Sequence, residues 1–359
     1  MPAQNPHFKK VLIINIFGIG DVLFSTPLIS NIKAAFPDCF IGYICNKRAA
    51  PLLSANPKIN KIFLYERDEF NRVYAQSKIA FLKKMTGILG EIRREKFDVV
   101  IDLSLNTHAQ FLMWFLGIKT RIGFNYKNRS PLLNHPVKLE GYEGRHVVDY
   151  YLSLLDALGI PKKNNRMELI INDSDKDWAA VKLSDFQIKK NDFLVAVVPG
   201  GGASWGKDAN FKRWSTENYA QLADKMIEKF SAKVILLGDS FEEELCRRVM
   251  GAMHKSANIV CGVSLGQFAA ILSMCKLALV NDGGPLHVAV AVSTRTASIF
   301  GPVDERVYGP YPQGRHIIIK KNLACQPCYR RFKLADCRHH NCLNSLSVNE
   351  VMTRLEQSL

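Results

Sequence analysis

The sequence predicts an α/β protein made of two doubly wound parallel-sheet domains that face a central cleft. Three observations predict it. The chain has 359 residues, long for one hydrophobic core and comfortable for two. Short β-rich runs alternate with helix-length segments, and this rhythm occurs twice. A polar stretch, "GIPKKNNRMELIINDSDKDW", separates the two series.

In the first half the strand candidates are "KKVLIINI", "FIGYIC", "KIFLY" and "DVVIDLS". The segment "DEFNRVYAQSKIAFLKKMTGILGEIRREKF" reads as the longest helix. Ile79, Leu82, Met85, Ile88, Leu89 and Ile92 keep a helical spacing there, and basic residues crowd the rest. Two readings stay open for it. It is an amphipathic helix packed on the first sheet, or its exposed part lies on an anionic bilayer surface; each can hold for a different portion. In the second half the strands are "FLVAVVPG", "KVILLG", "NIVCG", "LALVND" and "TASIF". Between them "TENYAQLADKMIEKF", "EEELCRRVMGAM" and "LGQFAAILSMC" read as helices, so the sheets are parallel with helices on both faces. The closing "SVNEVMTRLEQSL" has the Ser347-to-Glu350 spacing of a capping box and reads as a final helix. The domains span 1–165 and 166–345, with the final helix over 346–359.

Composition narrows the class. Hydrophobic residues make up 47%, which excludes a disordered chain, and no uncharged apolar run reaches the length of a spanning helix. The opening "KKVLIINIFGIG" is short, is broken by Gly18 and Gly20, and lacks a small-residue cleavage pattern. A cytoplasmic protein is expected. The net charge is +15, with 21 Lys/Arg against 12 Asp/Glu through residue 150 and 27 against 21 beyond it. Such an excess favours anionic partners: lipid headgroups, phosphorylated sugars, nucleotides or nucleic acid. A solvated surface without a specific partner would have the same charge.

Three loops carry the chemistry. "NIFGIGDVLFSTPL" places Asp21 after a strand and two glycines. It is either a helix cap or a general base for a substrate hydroxyl, exposed where open α/β sheets bind ligands. Ser25 or Thr26 can cap the next helix, with Pro27 in its first turn. The third glycine of a dinucleotide fingerprint is missing, and "FIGYICNKR" has no acid at its end, which counts against a nicotinamide enzyme. In "VVPGGGASWGKDANFKRW" a strand runs into Gly200, Gly201 and Gly202 and then reaches Lys207, Lys212 and Arg213. That is a plain turn or a nest of N–H groups for phosphate oxygens, with lysines to neutralise them. In "LALVNDGGPLHVAVAV" a helix starts after Asp282, Gly283 and Gly284, with His287 in its first turn. Its free N–H groups and dipole suit a diphosphate. His287 is either a packed core residue or a partner of that anion.

These motifs, with "FDVVIDL", "TRIGF" and "SLGQFAAIL", resemble glycosyltransferase family 9, the heptosyltransferases of lipopolysaccharide core assembly, over nearly the whole chain. The resemblance implies the GT-B architecture, two Rossmann-like domains with the C-terminal helix packing back toward the first. It implies an inverting transfer from an ADP-sugar, favouring ADP-heptose, with no cofactor or catalytic metal. It further implies an acidic glycolipid acceptor at the cytoplasmic face of the inner membrane. Asp21 matches the catalytic base, and Lys212 the lysine on the donor diphosphate. Asp282, Gly283, Gly284 and His287 match the donor loop, joined by Gly201 and Gly202. Gly262, Ser264 and Leu265 match the region beside the adenine, and Glu242 or Glu244 the acid near the ribose. Gly20, His108 and Arg121 are the candidates for holding the acceptor. Gly283 stands where many members have Ser or Thr, so one hydroxyl is missing.

Of nine cysteines, Cys39, Cys45, Cys246, Cys261 and Cys275 lie in apolar surroundings and read as core. Cys325, Cys328, Cys337 and Cys342 form "CQPCYRRFKLADCRHHNC", with ligands of the type a structural zinc site uses; free thiols are the alternative. The same basic segment supports a rival reading, a nucleic-acid-binding protein with a finger-like reader. It leaves Asp21 and both glycine loops without a task, so no nucleic acid is expected. A GT-B sugar-nucleotide epimerase is a second rival, distinguished by needing no acceptor.

Overall fold

The computed structural model describes residues 8–202 and 206–359. Its internal contacts divide the chain into two units, Met1–Glu168 and Leu169–Leu359. The boundary lies in the polar stretch that the sequence marks.

The first unit runs β1 (Lys10–Ile14), α1 (Ile19–Phe24), α2 (Thr26–Ala35), β2 (Phe40–Cys45), α3 (Ala50–Ser54) and β3 (Lys61–Leu64). It continues through α4 (Arg67–Gln76), α5 (Lys78–Glu95), β4 (Val99–Asp102) and α6 (Thr107–Phe115). It closes with β5 (Thr120–Tyr126), β6 (His135–Leu139) and α7 (Val147–Ser153). The six strands form one parallel sheet in the order β3-β2-β1-β4-β5-β6. The order reverses between β1 and β4, whose last residues Ile14 and Asp102 are register partners. Both strands are buried almost throughout, as a sheet covered on two faces requires. Ile88 and Ile92 of α5 share one core cluster with Leu112 and Met113 of α6, so these helices cover the same face.

The expected long helix is two. The chain breaks at Ser77, which is extended (φ −158°, ψ 116°), and its side chain accepts a hydrogen bond from the Ala80 N–H. Only the later part of α5 packs on the sheet. Ile79 and Leu82, expected on the same apolar face, are exposed. An 18-residue helix is about 27 Å long, whereas the four-residue β4 extends about 13 Å. The helix therefore outruns the sheet it covers.

The second unit runs α8 (Asp173–Asp185), β7 (Leu194–Val198), α9 (Thr216–Phe230), β8 (Lys233–Gly238), α10 (Glu243–Ala252) and β9 (Asn258–Cys261). Next come α11 (Leu265–Met274), β10 (Leu277–Asn281), α12 (Gly284–Ala291), β11 (Thr296–Ile299), α13 (Glu305–Tyr308) and β12 (Ile317–Ile319). A hairpin, β13 (Tyr329–Arg330) with β14 (Lys333–Leu334), precedes α14 (Asn341–Asn344) and α15 (Val348–Glu356). The main sheet is again parallel and six-stranded, β12-β11-β10-β7-β8-β9, and reverses between β7 and β10. In α15 both bonds of the Ser347/Glu350 capping box are present. Val351, Met352 and Leu355 bury its apolar face in the second unit's core, where it packs on α9 and β12.

Candidate active site

In the first unit, the loops after β1 and β4 leave the sheet side by side at its carboxyl edge. Asp21 is the third residue of α1, half-buried, with Gly20 before it. Gly18 is the N-cap and is not left-handed (φ −70°). A Cβ there would stand 3.8 Å from Asp21 Oδ2, an ordinary contact, so the backbone of Gly18 runs close beside the carboxylate. Asn15, fully buried, donates from Nδ2 to the Asp21 carbonyl (2.9 Å). Asn46 donates to the carbonyls of Ile16 (3.3 Å) and Phe17 (2.5 Å). Two asparagines thus fix the loop that presents Asp21. Beneath it lie the buried rings of Tyr43, Tyr142 and Tyr151. Burial, then the Asp21 charge, raises the pKa of Tyr142; burial, then neighbouring Tyr142 and after it Asp21, raises that of Tyr151. For Tyr43 burial again dominates and the same carboxylate adds a smaller push upward. All three stay neutral phenols.

Ser25 is the N-cap of α2, as expected, but its hydroxyl does not cap. It donates to the Val22 carbonyl (2.7 Å) and meets the Tyr43 hydroxyl at 2.6 Å. At the end of β4, the buried Asp102 accepts from the N–H (2.9 Å) and hydroxyl (2.6 Å) of Ser104. Burial raises its pKa. Asn106 caps α6 by accepting from the His108 N–H (2.9 Å), and His108 is exposed at this edge. Arg121 requires a correction. It is the second residue of β5, near the amino edge, and its guanidinium donates to the carbonyls of Leu132 (2.6 Å) and Ile118 (2.6 Å). Committed to backbone there, it is not placed to hold an acceptor beside Asp21.

In the second unit, the loops after β7 and β10 meet at the switch point. Asn281 ties them, donating to the carbonyls of Pro199 (2.9 Å) and Gly200 (2.6 Å) and accepting from the Trp214 N–H (3.1 Å). A Cβ on Gly283 would lie 2.2 Å from the Gly201 carbonyl oxygen, so the second glycine loop is pressed against the first. Gly284 and Pro285 then open α12, and His287 follows, buried. Lys212 pairs with Asp282, Nζ to Oδ2 at 2.6 Å, both largely buried. The pair resolves why an acid stands next to an anion cradle: the lysine neutralises it. Lys207, a second lysine of this loop, has its side chain outside the described residues.

The glycine nest also requires a correction. The N–H groups of Gly201 (3.1 Å) and Gly202 (3.0 Å), expected to meet phosphate, both donate to Oε1 of buried Glu242. Arg213 lies 3.5 Å from the same oxygen. A Cβ on Gly200 would overlap the Glu242 carboxylate at 1.9 Å. The glycines make room for an internal anion, and Glu242 braces the loop. Ser264 caps α11 in a capping box with Gln267, after Gly262 in a left-handed turn (φ 69°) and beside half-buried Leu265.

Cys328 and Cys337 flank the β13–β14 hairpin, Cys325 precedes it, and Cys342 lies in the first turn of α14. Burial, then the neighbouring Cys328, Cys337 and Cys325, push Cys342 up to about 11. Among the described residues, however, no three His, Cys, Asp or Glu side chains are arranged to hold an ion.

Two Rossmann-like units, one presenting a carboxylate and the other a charged, glycine-lined helix start at its switch point, define a GT-B glycosyltransferase. The chain belongs to glycosyltransferase family 9 (heptosyltransferase), whose profile matches residues 86–339. It is 24% identical over 306 residues to lipopolysaccharide heptosyltransferase 2 of Escherichia coli K12, covering 82% of this chain and 83% of that protein. A family 9 glycosyl transferase from Veillonella parvula superposes with a TM-score of 0.82 at 22% identity, covering 99% of this chain and 98% of that one. An E. coli heptosyltransferase bound to ADP-2-deoxy-2-fluoro heptose gives a TM-score of 0.72 at 17% identity, covering 98% and 100%.

Proposed function

We propose that this protein transfers heptose from ADP-heptose, with inversion, to a core sugar of lipopolysaccharide or a related acidic glycolipid at the cytoplasmic face of the inner membrane. The observation that carries the reading is the Lys212–Asp282 pair at the head of α12, held by the contact of Gly283 with Gly201. Lys212 and the first-turn N–H groups of α12 receive the charge that grows on the departing ADP. That charge stabilisation is the role a metal ion plays in other transferases. Asp21 takes the proton of the acceptor hydroxyl as its oxygen attacks the anomeric carbon. The bond from that carbon to the β-phosphate breaks, and ADP leaves with the electron pair. The names of the relatives support the donor and the acceptor class. The test is a transfer assay on a de-heptosylated lipid acceptor with ADP-, UDP- and GDP-sugars, with and without EDTA. Transfer from ADP-heptose alone, insensitive to EDTA and giving the inverted anomer, supports the reading. A preference for another nucleotide, or loss of activity with EDTA, rejects it.

For Cys325, Cys328, Cys337 and Cys342 the proposal is a structural metal ion outside the reaction. The support is the ligand type and the placement of all four around the β13–β14 hairpin and the start of α14, although among the described residues their side chains are not arranged to hold an ion as they stand. Metal analysis of the purified protein tests it: one zinc per chain supports the site, and none rejects it.

A further inference from the structure

We propose that the exposed apolar faces of α4, α5 and α6 form the surface by which this protein docks on an anionic phospholipid bilayer. The inference rests on the lipid-linked acceptor proposed above and assigns the residues that reach the membrane. Phe111, Trp114 and Phe115 project from α6, each at least half exposed, and the Phe111 and Trp114 rings lie 5.8 Å apart. Ile79 is 83% exposed on α5, close to exposed Leu82, and Tyr74 is exposed on α4. A soluble surface scatters large apolar side chains singly; a gathering of this kind marks a contact.

Topology puts the two groups on one face of the sheet, with Ile79 and Leu82 in the first turns of α5, Phe111 midway along α6 and Trp114 and Phe115 in its last turn. A helix joining parallel strands runs back against them, so the helices between β3 and β4 and between β4 and β5 begin at the carboxyl edge. α5 and α6 cover the same face. The overhanging first turns of α5, which carry Ile79 and Leu82, therefore lie at the same edge as the start of α6. That edge also holds Asp21 and His108. Phe111 follows His108 by about one turn, roughly 5 Å along the helix. A sugar on a membrane-held lipid would thus arrive beside the base.

Charge selects the partner. Residues 67–96 contain eight Lys/Arg against four Asp/Glu, and α6 contains no acid. Lys78 and Lys83 are exposed next to Ile79 and Leu82. Of the acids, Glu69 is engaged by Lys47 and Lys84, and Glu95 by Lys10 and Lys61. Exposed bases around aromatic and aliphatic anchors are the composition of an interfacial surface for anionic headgroups.

The test is co-sedimentation of the intact protein with vesicles of phosphatidylcholine alone or mixed with phosphatidylglycerol, at low and high salt. The wild type should bind the anionic vesicles and leave the neutral ones. F111S/W114S/F115S should bind at least about tenfold more weakly, given the apolar area withdrawn. K78E/K83E should lose the preference for phosphatidylglycerol. Trp114→Phe preserves an apolar ring and guards against misfolding: quenching by bromine-labelled acyl chains, present in the wild type, should fall in it. Equal binding by the wild type and the triple variant, or equal binding to neutral vesicles, overturns the proposal. So does a dimer in solution that the triple variant dissolves without any vesicle binding. Transfer to a soluble, deacylated acceptor should be unchanged in the triple variant. That assay on the wild type reports on the proposed reaction independently of docking.

Discussion

Asp21 is held in place by groups that do no chemistry. Asn15 and Asn46 fix its loop, and Tyr43, Tyr142 and Tyr151 lie under it. Asp21→Asn should keep the fold and lower kcat by about 100- to 10,000-fold, read by steady-state transfer beside an unchanged melting temperature. Lys212 differs, because it both charges the site and neutralises Asp282. Lys212→Ala strands a buried carboxylate and should cost ~3–5 kcal/mol of stability. The double variant Lys212→Met/Asp282→Leu removes both charges and should recover most of that stability while remaining inactive; urea unfolding and transfer assays separate the two effects. Asp21 and Asp282 stood out because each follows or ends a strand beside glycines, and Lys212 because it is one of the basic residues that follow the Gly200–Gly202 run. Glu242 was legible as an acid but not as a brace, since its partners are backbone N–H groups forty residues away in the chain. Arg121 misled because a basic residue in a strand looks alike whether it faces a ligand or its own carbonyls.

Among the elements, the two glycine loops of the second unit act as one. Gly283→Ser, although the family resemblance leads one to expect a hydroxyl there, should not improve donor binding here. Its Cβ meets the Gly201 carbonyl at 2.2 Å, and overpacking of that kind costs about 1–3 kcal/mol. Calorimetric titration with ADP and thermal unfolding would register the loss. A second element-level prediction concerns the junction of β11 and β12. His316 accepts from the Thr296 N–H (3.2 Å), and burial, then Arg315 and Arg295, lower its pKa to about 4. The unfolded chain takes up this proton near the ordinary value of about 6.5, before the folded one does. Stability should therefore fall as pH drops from about 6.5 to 4 and level off below. His316→Gln should flatten that part of a plot of urea midpoint against pH. The main strands and the capped helix α15 were legible from apolar runs and from Ser347 with Glu350. β5, β6 and β12 were not: "TRIGFNY" and "HPVKL" are interrupted by polar residues, and "III" is short. The break at Ser77 was hidden because apolar spacing continues through it.

For the whole molecule, the sequence announces two copies of one topology, and both sheets have it: each reverses direction once, and each carries its chemical residues at that reversal. The net charge of +15 is consistent with anionic substrates and a charged surface, but says nothing about where either binds; that required the positions of individual side chains. The central proposal is that Asp21 of the first unit and, in the second, Lys212 with the start of α12 serve one sugar transfer. Single-turnover transfer of heptose from ADP-heptose to a de-heptosylated acceptor tests it most directly, with the wild type beside Asp21→Asn. The account predicts a burst of heptosylated product from the wild type and at least about a hundredfold slower turnover in the variant with unchanged ADP affinity. Equal turnover by the two proteins would contradict it.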